Sequence, residues 1–201
     1  GGTVERSYAT GAVTASGDAV GGLVGESDAG GTVIDSYATG TVEGGNETGG
    51  LVGFSGRVVM GSYATGTVTG SGNYVGGLVG RSQGTVNRSY ATGGVTSTGA
   101  DSSGVGGLVG QSRGAINTSY ATGSVAGSGG VGGLIGITAI DGTVNASYAI
   151  GTVSGDGNVG GLVGAASDTA NVDGYWDVET TGQTASDGGT GLPSPKLLGD
   201  R

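Results

Sequence analysis

Asp177 and Glu179 flank Val178 next to Trp176, the nearest this chain comes to paired carboxylates beside an aromatic ring. Glycoside cleavage needs two such acids set across a groove. Here both lie on one strand-like segment, so they read as an acidic surface near the end of the fold, and no catalytic residue is expected. The chain has no His and no Cys. That removes the commonest general base and metal ligand, and with them thiolate chemistry and disulfides. Calcium needs several converging oxygens, whereas Asp18, Asp28, Asp101, Asp156 and Asp168 recur at no common repeat position. No metal site and no cofactor is expected; a single loop around Asp156-Gly157-Asn158 is the one place left open. The Gly-Gly-Leu-Val-Gly runs carry no Lys and open no helix, so they are not phosphate loops.

Hydroxyls are more orderly than acids. Tyr8, Tyr37, Tyr63, Tyr90, Tyr120 and Tyr148 each stand in the pentapeptide Ser-Tyr-Ala-Thr-Gly, varied only at Ile150, and Tyr175 follows at the same interval. Thr39 and Thr41, Thr65 and Thr67, Thr92, and Thr122 accompany them. On a strand, alternation places Tyr and the Thr two residues later on one face. Such a face supports two readings. Rings and hydroxyls stacked on their own copies stabilise a parallel stack. Alternatively they form a recognition strip for a glycan, or for ice through hydroxyl pairs such as Thr39-Gly-Thr41, although Gly94 and Ile150 interrupt that array. Asn87, Asn117 and Asn145 head glycosylation sequons at one repeat position, and Asn46-Glu47-Thr48 forms another on a loop. Sugars on neighbouring coils would crowd at roughly 5 Å spacing. The three repeated Asn are therefore read as left-handed corner residues with stacked amides, and Asn46 as the glycosylation candidate.

These residues must be positioned by a repeating element. Between the Tyr pentapeptides, Gly-Gly-Leu-Val/Ile-Gly recurs from Gly21, Gly49, Gly76, Gly106, Gly132 and Gly160, a period of about 28 residues. Every run is short, bounded by Gly, Asn or Ser and rich in β-branched residues, which are strand signals; no window has helical spacing, and Pro occurs only at 193 and 195. The fold class expected is all-β: a parallel β-solenoid of about 28 residues per coil and six to seven coils, with a C-terminal cap. At about 3.3 Å per residue, a coil has a path for three short sides, and at about 4.8 Å per rung the rod is roughly 30–35 Å long.

Variation among the copies separates outside from inside. The residues two before each Tyr (Arg6, Asp35, Gly61, Arg88, Thr118, Ala146) and four after it (Ala12, Thr41, Thr67, Gly94, Ser124, Thr152) vary and are often polar. The opposite parity holds Ser, Ala, Gly and the Val row Val13, Val42, Val68, Val95, Val125 and Val153, with Leu23, Leu51, Leu78, Leu108, Leu134 and Leu162 filling the core from another side. A net charge of −9, from 16 acidic and 7 basic residues, argues against nucleic acid and against anionic membranes. No apolar stretch approaches membrane-spanning length. The first residues, Gly1-Gly2-Thr3-Val4, fall mid-repeat without Met, as in a processed product or a piece of something longer.

Gly-Gly-Leu-Val-Gly followed by Ser-Tyr-Ala-Thr-Gly-x-Val, in six copies from Gly1 to about Gly164, resembles the GLUG-motif repeats of secreted and cell-surface proteins. The resemblance implies a β-solenoid outside the cell, of the adhesin-like kind, and carries no catalytic residue. Residues 1–174 are then solenoid repeats and 175–201 a capping and tail segment, in which Trp176 and Leu192 to Leu198 cover the last rung. The expected function is a non-catalytic structural one, a fibre or filament subunit or an adhesin stalk. The expected partners are further copies joined head-to-tail at the uncapped first rung, or the remainder of a larger surface protein, with a glycan on the Tyr/Thr face as the alternative.

Overall fold

The computed structural model describes residues 1–100 and 102–197; Asp101 and Leu198, named above, lie outside them. Each turn of chain is a set of very short strands. One inner turn runs Thr85–Asn87, Tyr90–Ala91, Val95–Ser97, Val105–Gly106 and Val109–Ser112. Equivalent strands of successive turns pair in parallel and in register, as in Tyr37↔Tyr63↔Tyr90 and Val33↔Val59↔Val86. The result is the parallel β-solenoid the period predicts.

The coil has four hydrogen-bonded sheets rather than three sides. Left-handed backbone bends the coil at two places, one inside the largest sheet and one between two of the others. Arg6, Asp35, Arg88, Thr118 and Ala146 have φ between 46° and 49°, and Gly61 has 61°, so each turn kinks between its Thr-Val-x and Tyr-Ala strands. The corner residue is thus the one after Asn87, Asn117 and Asn145, and the expectation that the Asn themselves are left-handed is corrected. A second corner follows Asp18, Asn46 and Asn73, where Ala19, Glu47 and Tyr74 take φ of 52°, 51° and 62°.

Inward rows fall where parity placed them. A large core joins Val33, Val59, Val86, Ile116 and Val144 to the Ala38, Leu51 and Val52 rows, and a thinner one joins Val68, Val95, Val125 and Val153 to Val75, Val105 and Val131. The first two glycines of the second pentapeptide form the waist between them. A Cβ on Gly50, Gly77, Gly107 or Gly133 would overlap a carbonyl oxygen of the next rung and come within 2.9 Å of Ala64, Ala91, Ala121 or Ala149. Gly-Gly and the Ala of Tyr-Ala-Thr are therefore one steric unit.

The last rung is covered. Trp176 stands in register with Ala149, and its indole lies over Gly161. Its Nε1–H donates to the Gln183 carbonyl at 2.9 Å, and Gln183 Nε2 donates to the Val153 carbonyl at 2.9 Å. Ser186 Oγ accepts from the Leu162 and Val163 amides, Asp187 accepts from the Ala166 amide at 2.6 Å, and the Ala185 carbonyl accepts from the Gly161 amide. Thr190–Leu192 then pairs with Tyr175–Asp177. Trp176 and Leu192 do belong to the cover, but residues 183–187, unassigned from sequence, satisfy most of its backbone.

Candidate functional site: the tyrosine and threonine face

The six repeated tyrosines form one continuous stack. Centroids of successive rings from Tyr8 to Tyr148 are 5.3, 4.9, 4.9, 4.9 and 5.1 Å apart, with interplanar angles of 10° or less. The rung spacing of a parallel sheet, about 4.8 Å, sets this distance, and in-register pairing places each tyrosine over the next. Stacking has a chemical consequence. Each inner ring spends both faces on its neighbours, so the strip presents ring edges and hydroxyls, not aromatic planes. Burial, and then the next tyrosine in the stack, push the Tyr90 and Tyr120 phenols above their ordinary value, so both stay neutral donors. Thr39, Thr41, Thr65, Thr67 and Thr92 are exposed beside the stack, and Thr122 is half-buried. The structure thus brings together the Tyr and Thr rows as one outward face.

Beneath that face runs a ladder that sequence parity did not reveal. The amides of Ser7, Ser36, Ser62, Ser89 and Ser119 each donate to the hydroxyl of the serine one rung on, at 3.1 to 3.2 Å. Each hydroxyl in turn donates to the carbonyl two residues back, as Ser89 does to Asn87. The ladder ends where Gly174 replaces serine opposite Ser147. The inward serines are backbone partners at the kink, where strand pairing lapses. Ser89→Ala leaves the buried Ser62 amide without an acceptor and is expected to cost about 1–3 kcal/mol in chemical denaturation, against a few tenths for an exposed site such as Thr96→Ala.

The asparagines build two further polar lines, one at each kind of corner. Asn46 Nδ2 donates to Asp18 at 2.8 Å, and Asn46 Oδ1 accepts from the Asn73 amide at 2.8 Å. Asn73 Oδ1 accepts from the Ser103 amide, and Asn145 Nδ2 donates to Asn117 at 2.9 Å. A sugar joined to Asn46 would take one of the two Nδ2 hydrogens, and one of those two is bonded to Asp18. On the adjoining side, Arg81 lies 5.8 Å from the Phe54 ring centre and 5.7 Å from that of Tyr74, with Glu47 at 2.9 Å. The cluster falls at two repeat positions on neighbouring rungs, Phe54 in register with Arg81 and Glu47 at the corner position of Tyr74, but the residue type changes from rung to rung, so the repeat did not single it out.

The carboxylates first weighed for catalysis have other work. Asp177 is 3% exposed, not the surface acid the sequence suggested, and its Oδ1 accepts from the Glu179 and Thr180 amides as cap of the short helix Val178–Thr181. Its Oδ2 takes a hydrogen bond from Ser194 at 2.6 Å. Burial alone would raise this carboxyl, but the bonds from the Ser194 hydroxyl and the Thr180 and Glu179 amides outweigh it and hold the group below the ordinary aspartate value. Glu179 accepts from the Ser194 amide at 3.3 Å. Both acids therefore fasten the tail to the cap. Among the described residues no three His, Cys, Asp or Glu side chains converge as a metal-binding group, and no helix is long and apolar enough to cross a membrane.

Comparison with known families matches residues 16–43 to the GLUG motif. That stretch takes in the first Gly-Gly-Leu-Val-Gly and the second Ser-Tyr-Ala-Thr-Gly, the two pentapeptides that carried the sequence resemblance. No curated protein and no solved structure matches this chain.

Proposed function

We propose that this chain, matched to the GLUG motif over residues 16–43 and wound as a β-solenoid, is a non-catalytic structural element outside the cell, a stiff segment of a stalk, adhesin or fibre. One observation carries the reading: the residues that could have done chemistry are turned onto their own copies. Tyr rings stack on Tyr rings and Ser amides bond Ser hydroxyls, rung after rung. Asp177 and Glu179 hold the cover of the last rung. A rod of this kind resists bending because each rung is bonded to the next on every sheet. The GLUG match and the adhesin-like character of such repeats support a place at the cell surface.

Binding of a glycan or of ice by the outward Tyr and Thr rows is the competing reading. It has hydroxyls to draw on, but sugar rings pack on aromatic planes, and those of the inner rings are occupied. Replacing Tyr63 and Tyr90 together by Ala separates the two. It removes three stacked pairs, each worth about 0.5–1.5 kcal/mol beyond area, so the structural reading expects a loss of about 2–4 kcal/mol in unfolding free energy, with Tyr→Phe at both sites nearly neutral. Unchanged stability together with lost retention on immobilised polysaccharide would replace that reading with the binding one.

A further inference from the structure

Charge is not spread evenly along this chain. Residues 48–140 contain four arginines and a single acidic residue, Asp101, whereas 1–47 hold seven acidic residues with one basic, and 141–201 hold eight with two. On the rod this becomes a basic band of three rungs bordered by acidic rungs. Arg81 is paired with Glu47. Arg57, Arg88 and Arg113 are exposed, and among the described residues none of them lies within ion-pair distance of a carboxylate.

The links that carry these charges also differ in height. After the strands ending at Ser55, Ser82 and Ser112, the band reaches its next strand through two residues: Gly56-Arg57, Gln83-Gly84 and Arg113-Gly114. The acidic rungs beyond it use four, residues 139–142 and 167–170. Strands on both sides stay in register, as Ser112↔Thr138↔Ala166 and Ala115↔Thr143↔Asn171, so the two extra residues stand outward. Each longer link is closed as a turn, the Gly142 amide donating to the Ala139 carbonyl and the Ala170 amide to that of Ser167. These raised turns carry the exposed Asp141 and Asp168, and exposed Asp173 lies on the strand that follows the second. Ile140, 70% exposed, tops the first turn and lines a shallow depression with Arg113 and Ala139. A single exposed Ile is ordinary on a surface; this one stands where low basic surface meets raised acidic surface.

We infer that this face is a self-complementary interface for a second copy of the chain, lying side by side with the first and antiparallel to it. A two-fold axis across the rods, midway between the rungs of Arg113 and Asp141, sets the low links of one copy under the raised turns of the other. Arg113 then faces Asp141 of the second copy, and Arg88 faces Asp173 of the second copy. Each pair occurs twice, and the contact closes on itself. Ile140 falls at the centre, over the aliphatic stem of Arg113 of the second copy, which gives the apolar centre and polar rim of a protein interface. A parallel copy in register would set arginine on arginine and aspartate on aspartate. A linear polyanion laid along the rod would run from the band onto Asp141 and Asp168. Complementary charges fix register and suppress wrong pairings more than they add affinity, so the dimer is weak and salt-sensitive. The inference uses the shape and charge of the rod and does not depend on its role as stalk, adhesin or fibre.

The test is sedimentation of the full-length chain and of two charge-reversed variants. Arg88→Asp with Arg113→Asp makes the band acidic; Asp141→Lys with Asp173→Lys makes the raised rungs basic. All four side chains are exposed, and Asp35 and Arg6 show that either charge accepts the left-handed backbone found at Arg88 and Asp141. In high salt each variant is therefore expected to melt within about 2 °C of the parent. The parent is expected to dimerise at low ionic strength and to dissociate as salt rises toward about 1 M, where the Debye length is about 3 Å. Each variant alone should associate at least about tenfold more weakly. An equal mixture of the two should regain the dimer, because every reversed contact is then matched. Ile140→Thr, which leaves all charges in place, should also weaken the parent dimer. A mixture that stays monomeric, or a band-reversed variant that dimerises like the parent, would overturn the proposal. So would a parent that stays monomeric at low salt; its retention on a sulfated polysaccharide through Arg88 and Arg113 would then make a polyanion the occupant.

Discussion

Gly77→Val is expected to prevent folding of the whole solenoid. A Cβ at Gly77 would overlap the Gly107 carbonyl oxygen of the next rung and stand 2.9 Å from the Ala91 Cβ. Neither obstacle is a flexible side-chain end. The oxygen is held by the ladder in which the Gly77 amide donates to Gly106 and the Leu78 amide to Leu108, and Ala91 is part of the buried core. Two more methyl groups have nowhere to go, because rung spacing is set by hydrogen bonds at about 4.8 Å and cannot stretch locally. The loss should exceed about 4 kcal/mol, the range reached only by gross overpacking or broken networks, which is a large share of the stability of a domain this size. The measurement is far-ultraviolet circular dichroism of soluble protein, with Gly17→Val as the control, since a Cβ at Gly17 meets nothing within 4 Å. A Gly77→Val protein that melts near the parent would show that the waist is loose and that Gly-Gly is not a packing requirement.

Trp176→Ala should have the next largest effect, and of a different character. The indole is 5% exposed and sits at the top of the large core where the following rung's Ala would be. Truncation of a buried Trp removes about 3–5 kcal/mol. It also releases the Gln183 carbonyl, and with it the segment that caps the amides of Gly161, Leu162, Val163 and Ala166. An uncovered rung is an edge ready to pair with another chain. The expected outcome is therefore a lowered melting temperature together with concentration-dependent association, seen by sedimentation, beyond that of the parent. Trp176→Phe keeps most of the cover but loses the Nε1–H donor, and should fall between the two. Lowered stability with no association would mean that residues 183–187 hold their place without the indole.

The sequence by itself determined the class of fold, the register and the inward rows. A repeat aligned on itself already states which residues lie above one another: Tyr63 over Tyr37, Val86 over Val59, Leu78 over Leu51. In a parallel stack that alignment is the register, so no three-dimensional information was needed. It also marked the Tyr and Thr rows as one outward face. Only the tertiary structure decided what those rows have left to offer, because closing the coil spends the ring faces on stacking and leaves edges and hydroxyls. The same holds for the sign of φ at Arg88 and Thr118 rather than at the Asn before them, for the serine ladder, and for the fit of Gly77 against Ala91. Each depends on atoms from different strands meeting at the waist or the kink, and strand parity cannot see across a corner. The cap lay furthest from view. Gln183, Ser186 and Asp187 occur once, with no internal copy to align, and their partners on the last rung exist only after the chain has folded back over it.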